Sequence, residues 1–180
     1  MPASDYVKRL RAKVGHDLLM FPTVSAVVVN DRGEVLLGQR SDNHRWALIA
    51  GMMDPGEQPA DAVVREVLEE TGVHVKVERL AGVALHEVTY PNGDHCHMVN
   101  SWFRCRAVGG EARVNDSESI AVGWFALDSL PELTPFAHQR IRTALEDAPA
   151  WFAQPGETVD GGQAQPGRIG AGDGHDRQPG

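Results

Sequence analysis

Residues 51–73 read GMMDPGEQPADAVVREVLEETGV, and this stretch decides how the chain is read. The pattern is helical from Gln58 to Thr71, and Gly72 is placed to end that helix as a left-handed cap. Glu66, Glu69 and Glu70 stand at i, i+3 and i+4. At about 100° per residue their carboxylates share one face. Val64, Val67, Leu68 and Thr71 fall on the opposite side and are expected to pack on a sheet. Like charges at this spacing destabilise a helix by a few tenths of a kcal/mol per pair. Two arrangements relieve the repulsion. One is a solvated acidic face paired with Arg65 and other cations. The other is a set of oxygen ligands for a hard divalent cation, Mg²⁺ or Mn²⁺. Glu57 lies just ahead of the helix, where it can reach the same face.

Working outward, Thr23 to Asn30 is a β-branched strand, Asp31-Arg32-Gly33 a turn, and Glu34 to Gln39 the return strand of a hairpin. Trp46 to Ala50 is a further short strand. Val73 to Tyr90 supplies one or two strands, and Pro91-Asn92-Gly93-Asp94 is a strong hairpin turn leading to His95–Val108. Symmetric pairing about Asn92-Gly93 places Tyr90 opposite His95 and Val88 opposite His97. His95 and His97 then share a face, but no third ligand lies at short spacing for a transition metal. Ile120 to Phe125 is the last strand and Thr134 to Asp147 a helix anchored by Phe136, Ile141 and Leu145. Before all of these, Ser4 is placed to cap a short helix with Val7, Leu10 and Val14 on one stripe and Lys8, Arg9, Arg11 and Lys13 on a basic face. The mixture points to an α+β or sandwich-like α/β/α domain.

The chain has 180 residues, 42% of them apolar, enough for one core with a tail. Residues 1–21 read as an N-terminal helical segment, 22–152 as the domain, and 153–180 as a Gly/Pro-rich disordered tail. No apolar run approaches the roughly 20 residues of a membrane span, and no signal-peptide core opens the chain. Cys96 and Cys105 are too few for a disulfide framework, so a cytoplasmic, reducing setting is expected. A formal net charge of −8 argues against a stable nucleic-acid partner. It also requires something to neutralise any anionic substrate, and a metal ion does so.

Gly51, Glu57, Arg65-Glu66-Val67, Glu69-Glu70 and Gly72-Val73 stand at the spacing that resembles the complete signature of the Nudix hydrolases, with every defined position filled. Trp46-Ala47-Leu48 before it and Trp124-Phe125 after it agree, and the resemblance covers about residues 22–148. It implies a mixed sheet between helices with a loop–helix–loop metal site. The implied activity is Mg²⁺-dependent hydrolysis of a nucleoside diphosphate linked to another moiety. Glu66, Glu69 and Glu70 match the family's metal ligands, Glu57 a position in or beside the metal shell, and Arg65 the arginine that orients a carboxylate. Gly51 and Gly72 match backbone positions. The acceptor for the water's proton is Glu118, Glu69 or Glu70; Ala121 occupies the position nearest Trp124-Phe125 where relatives often carry Glu. Ile49-Ala50-Gly51 also departs from the family's usual Pro-Gly-Gly.

Arg40 and Arg45 are candidates for phosphate binding, Arg40 the better by analogy. Tyr90 lies where a tyrosine in diadenosine polyphosphate hydrolases stacks on a base, and Met52-Met53 can line the pocket or the core. A homodimer is allowed by the resemblance without a separate signal. A silent nucleotide-sensing module is the rival from another class, and such a module would be expected to have lost box carboxylates that this chain keeps. An isoprenoid diphosphate isomerase would need its cysteine upstream of the box, whereas both cysteines lie downstream.

Overall fold

The sheet is organised around the β-branched run near Thr23. The computed structural model describes residues 5–90 and 92–159, and in it this run extends to an eleven-residue strand, β1 (Leu19–Val29). Its parallel neighbour along the whole length is β6 (His95–Gly110), which pairs antiparallel with β5 (Val73–Thr89). On the other side β1 meets β4 (Ile49–Met52), and at Val29 it touches β2 (Val35–Arg40). β2 pairs chiefly with β7 (Ser119–Phe125) and also with β3 (Trp46–Ala47), while the unforeseen β8 (Trp151–Phe152) adds a parallel edge to β5. The expected β1–β2 hairpin therefore exists only at its turn: one register pair joins the strands before β2 peels away to β7. The expected strand Trp46–Ala50 is likewise split, its two halves serving different partners.

Alternation along β1 sends side chains into two cores. Val24, Ala26 and Val28 pack with Ala62, Val63 and Val67 of α2 (Pro59–Thr71), together with Phe103 and Cys105. Val27 and Val29 pack on the other face with Phe136, Ala137, Ile141 and Ala144 of α3 (Pro135–Leu145), around the fully buried Trp102. The Trp102 indole N–H donates to Thr143 at 2.9 Å. α1 (Asp5–Val14) lies on this second face, with Val7 against Phe21, Cys96 and Met98. The result is an α+β sandwich: a mixed sheet with α2 on one side and α1 and α3 on the other.

Two sequence expectations shift by a single residue. Tyr90 N–H donates to Asp94 and Gly93 N–H to Tyr90, with Gly93 at φ +87°, so the turn is one residue longer than a two-residue loop. Thr89 then faces His95 and Glu87 faces His97, and Val88 faces Cys96. A slip of one residue exchanges faces, so Cys96 and Met98 enter the core and His97 pairs with the exposed Glu87 at 3.5 Å. On α1, Arg11 is not part of the outer basic face. It turns to the sheet, meets Asp94 at 3.3 Å and donates to the His95 carbonyl. Ser4 and residues 160–180, most of the expected tail, lie outside the described residues.

β5 carries a register shift between Leu80 and Gly82. A Cβ at Gly82 would collide with the Trp102 ring and stand 2.7 Å from the Trp151 carbonyl oxygen. Gly82→Ala is expected to cost about 1–3 kcal/mol by overpacking; an unchanged urea midpoint would contradict this packing. The His86 ring lies 5.4 Å from Phe136, and its Nδ1 is buried without a hydrogen-bond partner. Burial, reinforced by the Arg140 charge, pushes its pKa down to about 4 from 6.5. The unfolded chain therefore binds the extra proton between those values, and stability falls as pH drops through that window. Urea melts at pH 7 and 4.5 should show a larger acid loss for the natural chain than for His86→Phe, and equal losses would count against it.

Candidate active site

One guanidinium gathers the acidic segment. Arg65 forks onto Glu57, with Nε donating to Oε1 at 2.8 Å and Nη2 to Oε2 at 2.9 Å. Its Nη1 donates to Glu66 at 2.8 Å and to Glu69 at 3.2 Å, and Nη2 also reaches the Met52 carbonyl at 3.2 Å. Paired hydrogen bonds of this kind fix both partners in one plane. Glu57, held by Arg65, has its pKa lowered, and the guanidinium's own pKa is raised chiefly by Glu57. Glu57 also accepts from the Asp54 N–H at 3.1 Å, closing the loop ahead of α2.

The three glutamates do not share one solvated ridge, as their spacing alone suggests. Glu66 is only 5% exposed and belongs to the inward stripe with Ala62, Val63, Val67 and Thr71, while Leu68 is 37% exposed. The helix is rolled so that Glu66 faces β4, and Gly51 makes this possible. A Cβ at Gly51 would overlap the Glu66 carboxylate itself. Burial raises the Glu66 pKa and Arg65 opposes that shift. Glu69 stays exposed on the outer side of Arg65.

The other end of α2 draws in a second set of acids. Gly72 caps it at φ 70°, and its N–H donates to the Leu68 carbonyl. The last carbonyls of a helix lack partners within it. Here they are met from the chain after β6: Arg113 N–H donates to Thr71, Asn115 N–H to Glu70, and the Asn115 amide to Leu68 and Glu69 at 3.1 and 3.2 Å. This docking brings Asp116 and Glu118 toward Glu70. Burial foremost, then Glu66, Asp116 and Glu118, push the Glu70 pKa up to about 8. Negative charge is thus crowded at the helix end whose dipole is already negative.

A cavity of about 530 Å³ opens beside this acidic end. Glu70, Glu118 and Arg40 line it at one side, and Tyr90 also lines it. Arg40 is held by Asp42, whose carboxylate raises the arginine's pKa. Arg45 is exposed and is not among the residues lining the cavity. Met52 lines the cavity, whereas Met53 packs in the core beside α2. Four further lining residues, Ser25, Asn100, His86 and Arg140, escape a reading by motif. Their signal is a polar residue on an apolar stripe: Asn100 between Met98 and Trp102 on β6, and Arg140 four residues after Phe136 on α3.

The donor set suits a hard cation. All the groups are carboxylate oxygens, Glu66 is seated in the space Gly51 leaves, and Glu70 is desolvated amid like charges. Among the described residues no three acidic, imidazole or thiol side chains already converge as a cage. Arg65 sits between Glu57, Glu66 and Glu69 instead. Mg²⁺ itself needs only one or two carboxylates, with water and phosphate completing its shell.

A sequence model of the NUDIX domain matches residues 20–148. A MutT-like protein of Streptomyces ambofaciens is 40% identical over 127 residues, covering 70% of this chain and 77% of the relative. An ADP-ribose pyrophosphatase of Methanocaldococcus jannaschii is 33% identical over 138 residues, covering 74% and 77%. Among solved structures, a MutT Nudix hydrolase from Burkholderia pseudomallei is 33% identical with a TM-score of 0.57, over 69% of this chain and 98% of that one. An ADP-ribose pyrophosphatase from Streptococcus suis is 28% identical with a TM-score of 0.57, over 74% and 98%. With its acidic helix end intact and opening on a cavity, the chain belongs to the Nudix hydrolase family, enzymes that cleave phosphorus-containing acid anhydrides.

Proposed function

We propose that the chain hydrolyses a nucleoside diphosphate linked to another moiety, using Mg²⁺ or Mn²⁺. The observation that carries this is the acid crowding at the C-terminal end of α2, beside a cavity large enough for a nucleotide. The name of one relative, an ADP-ribose pyrophosphatase, belongs to the same substrate class. Glu66, Glu69 and Glu70 are the cation's ligands, with Glu57 in or beside its shell. When bound, the cation neutralises the diphosphate and acidifies a water.

The chain's own groups do the rest. Arg65 holds Glu57, Glu66 and Glu69 in fixed orientation, so little reorganisation accompanies the reaction. Arg40 donates to a phosphate oxygen, a role supported by its position in the cavity lining and its pairing with Asp42. One carboxylate, Glu118, Glu69 or Glu70, takes the proton of the attacking water, and of these Glu70 and Glu118 line the cavity. Tyr90 lines the same cavity and offers a ring to the nucleoside.

Purified protein screened against nucleoside diphosphate derivatives should turn over at least one of them with Mg²⁺ and stop on chelation. Glu69→Gln should cut that rate by orders of magnitude while the melting curve stays in place, because Glu69 is exposed. Turnover that survives chelation, or an active Glu69→Gln, contradicts the assignment; tight binding without turnover favours a sensor. Gly51→Ala should displace Glu66 and lower activity at least a hundredfold, with a stability loss of about 1–3 kcal/mol. Adding Glu66→Ala should recover the stability but not the activity, and additive stability losses would refute the contact.

A further inference from the structure

Arg140 has a feature that the hydrolytic groups do not account for. It rises from α3 into the cavity on the sheet face opposite α2. Its guanidinium carbon stands 4.4 Å from the Phe136 ring centroid, and one Nη donates to the Ser25 hydroxyl at 2.7 Å. Its Nε leans on the Phe136 carbonyl at 3.4 Å. Among the described residues no carboxylate is in ion-pair reach of it, and its second Nη has no acceptor. Burial with nothing opposing it pushes its pKa down to about 10.

The position of this cation is set by the sheet. Ser25 spends its proton on the Asn100 carbonyl at 3.1 Å, and the Asn100 amide donates to Thr23 at 3.0 Å. With its proton so used, Ser25 offers Arg140 only lone pairs, and this anchors the guanidinium with its outer edge as a row of donors. The walls beside it, Phe21, Leu48, Val88 and Met98, are apolar and suit a flat ring rather than a heavily hydrated dianion. His86, with its unpartnered Nδ1, lines the same cavity.

We propose that Arg140 is the specificity residue of the cavity: its free N–H edge donates to the carbonyl of a nucleobase, so 6-keto purines are accepted and 6-amino purines refused. This rests on the cavity holding the nucleoside part of the proposed substrate. An arginine fork matches the O6 and N7 acceptors of a keto purine. Against adenine, the exocyclic amino group would set donor against donor, because the guanidinium has no acceptor to offer it. Within the nucleoside diphosphate class, inosine and guanosine derivatives should therefore surpass ADP-ribose.

The test uses IMP and AMP, which differ at C6 and contain no anhydride to hydrolyse. Calorimetric titration of the full chain with Mg²⁺ should show IMP binding at least tenfold tighter than AMP. Arg140→Lys, which keeps the charge and loses the fork, should bring the two within about threefold by weakening IMP alone. If that variant does not fold, Ser25→Ala should weaken IMP severalfold and leave AMP unchanged. Equal affinities in the natural chain, or a preference that survives in a folded Arg140→Lys, overturn the proposal. Adenosine 2′,5′-bisphosphate is the third probe. Binding tenfold tighter than AMP, with that gain lost in Arg140→Lys, would mean that Arg140 reads an anion, and would also overturn it. Failure of every anhydride in the turnover screen would instead sink the hydrolase reading, and the IMP preference would still be measurable.

Discussion

Negative charge concentrated around one helix is the constraint on which the rest of this molecule depends. α2 ends with its dipole's negative pole, Glu69 and Glu70 in its last turn, and Asp116 and Glu118 drawn against it by Asn115. One guanidinium, Arg65, ties the Glu57, Glu66 and Glu69 carboxylates, and it does not reach Glu70. Removing ions from water is costly unless they are well paired. A fold that keeps this imbalance has the electrostatics of a cation receptor, and the sheet is arranged to support it. β4 contributes Gly51, whose missing side chain admits Glu66, and the loop after β6 ties off the helix carbonyls.

The two ends of the cavity divide the labour. At the acidic end stand Glu70, Glu118 and Arg40, which the proposed function assigns to the phosphate-bearing part of the ligand. At the other, a hydrogen-bond chain runs from Thr23 through Asn100 and Ser25 to Arg140, which we assign to the nucleobase. The first depends on α2 and the loops beside it, the second on β1, β6 and α3. Changes in one end can therefore leave the other standing. The catalytic pattern is compatible with many ligands for this reason, since it builds the hydrolytic end alone.

Much of the fold was legible. The helix from Gln58, its Gly72 cap, the strands about Thr23 and His95, and the α3 helix behind Thr134 all follow from periodicity and turn chemistry, which are local. What escaped was non-local or depended on one residue of register. The turn after Thr89 takes an additional residue, so the faces of β6 were exchanged and His97, not Cys96, was expected opposite Val88. Helical spacing put Glu66 with Glu69 and Glu70, but packing against Gly51 rolled it inward. Arg45 has suitable chemistry for phosphate but is exposed and is not among the residues lining the cavity. Arg140 and Asn100 had the right place and no motif, because a polar residue on an apolar stripe acquires meaning only when the opposing elements are known.

The α1 helix lies outside the matched span of 20–148, yet Val7 and Arg11 line the cavity, and Arg11 grips the β5–β6 turn through Asp94. The acidic segment thus lies within the family span, while part of the chamber's wall lies outside it. Altering that helix would recut the chamber's outline at Val7 and Arg11 and leave the carboxylates of α2 where they stand, so the shape of the ligand space can drift apart from the acidic segment.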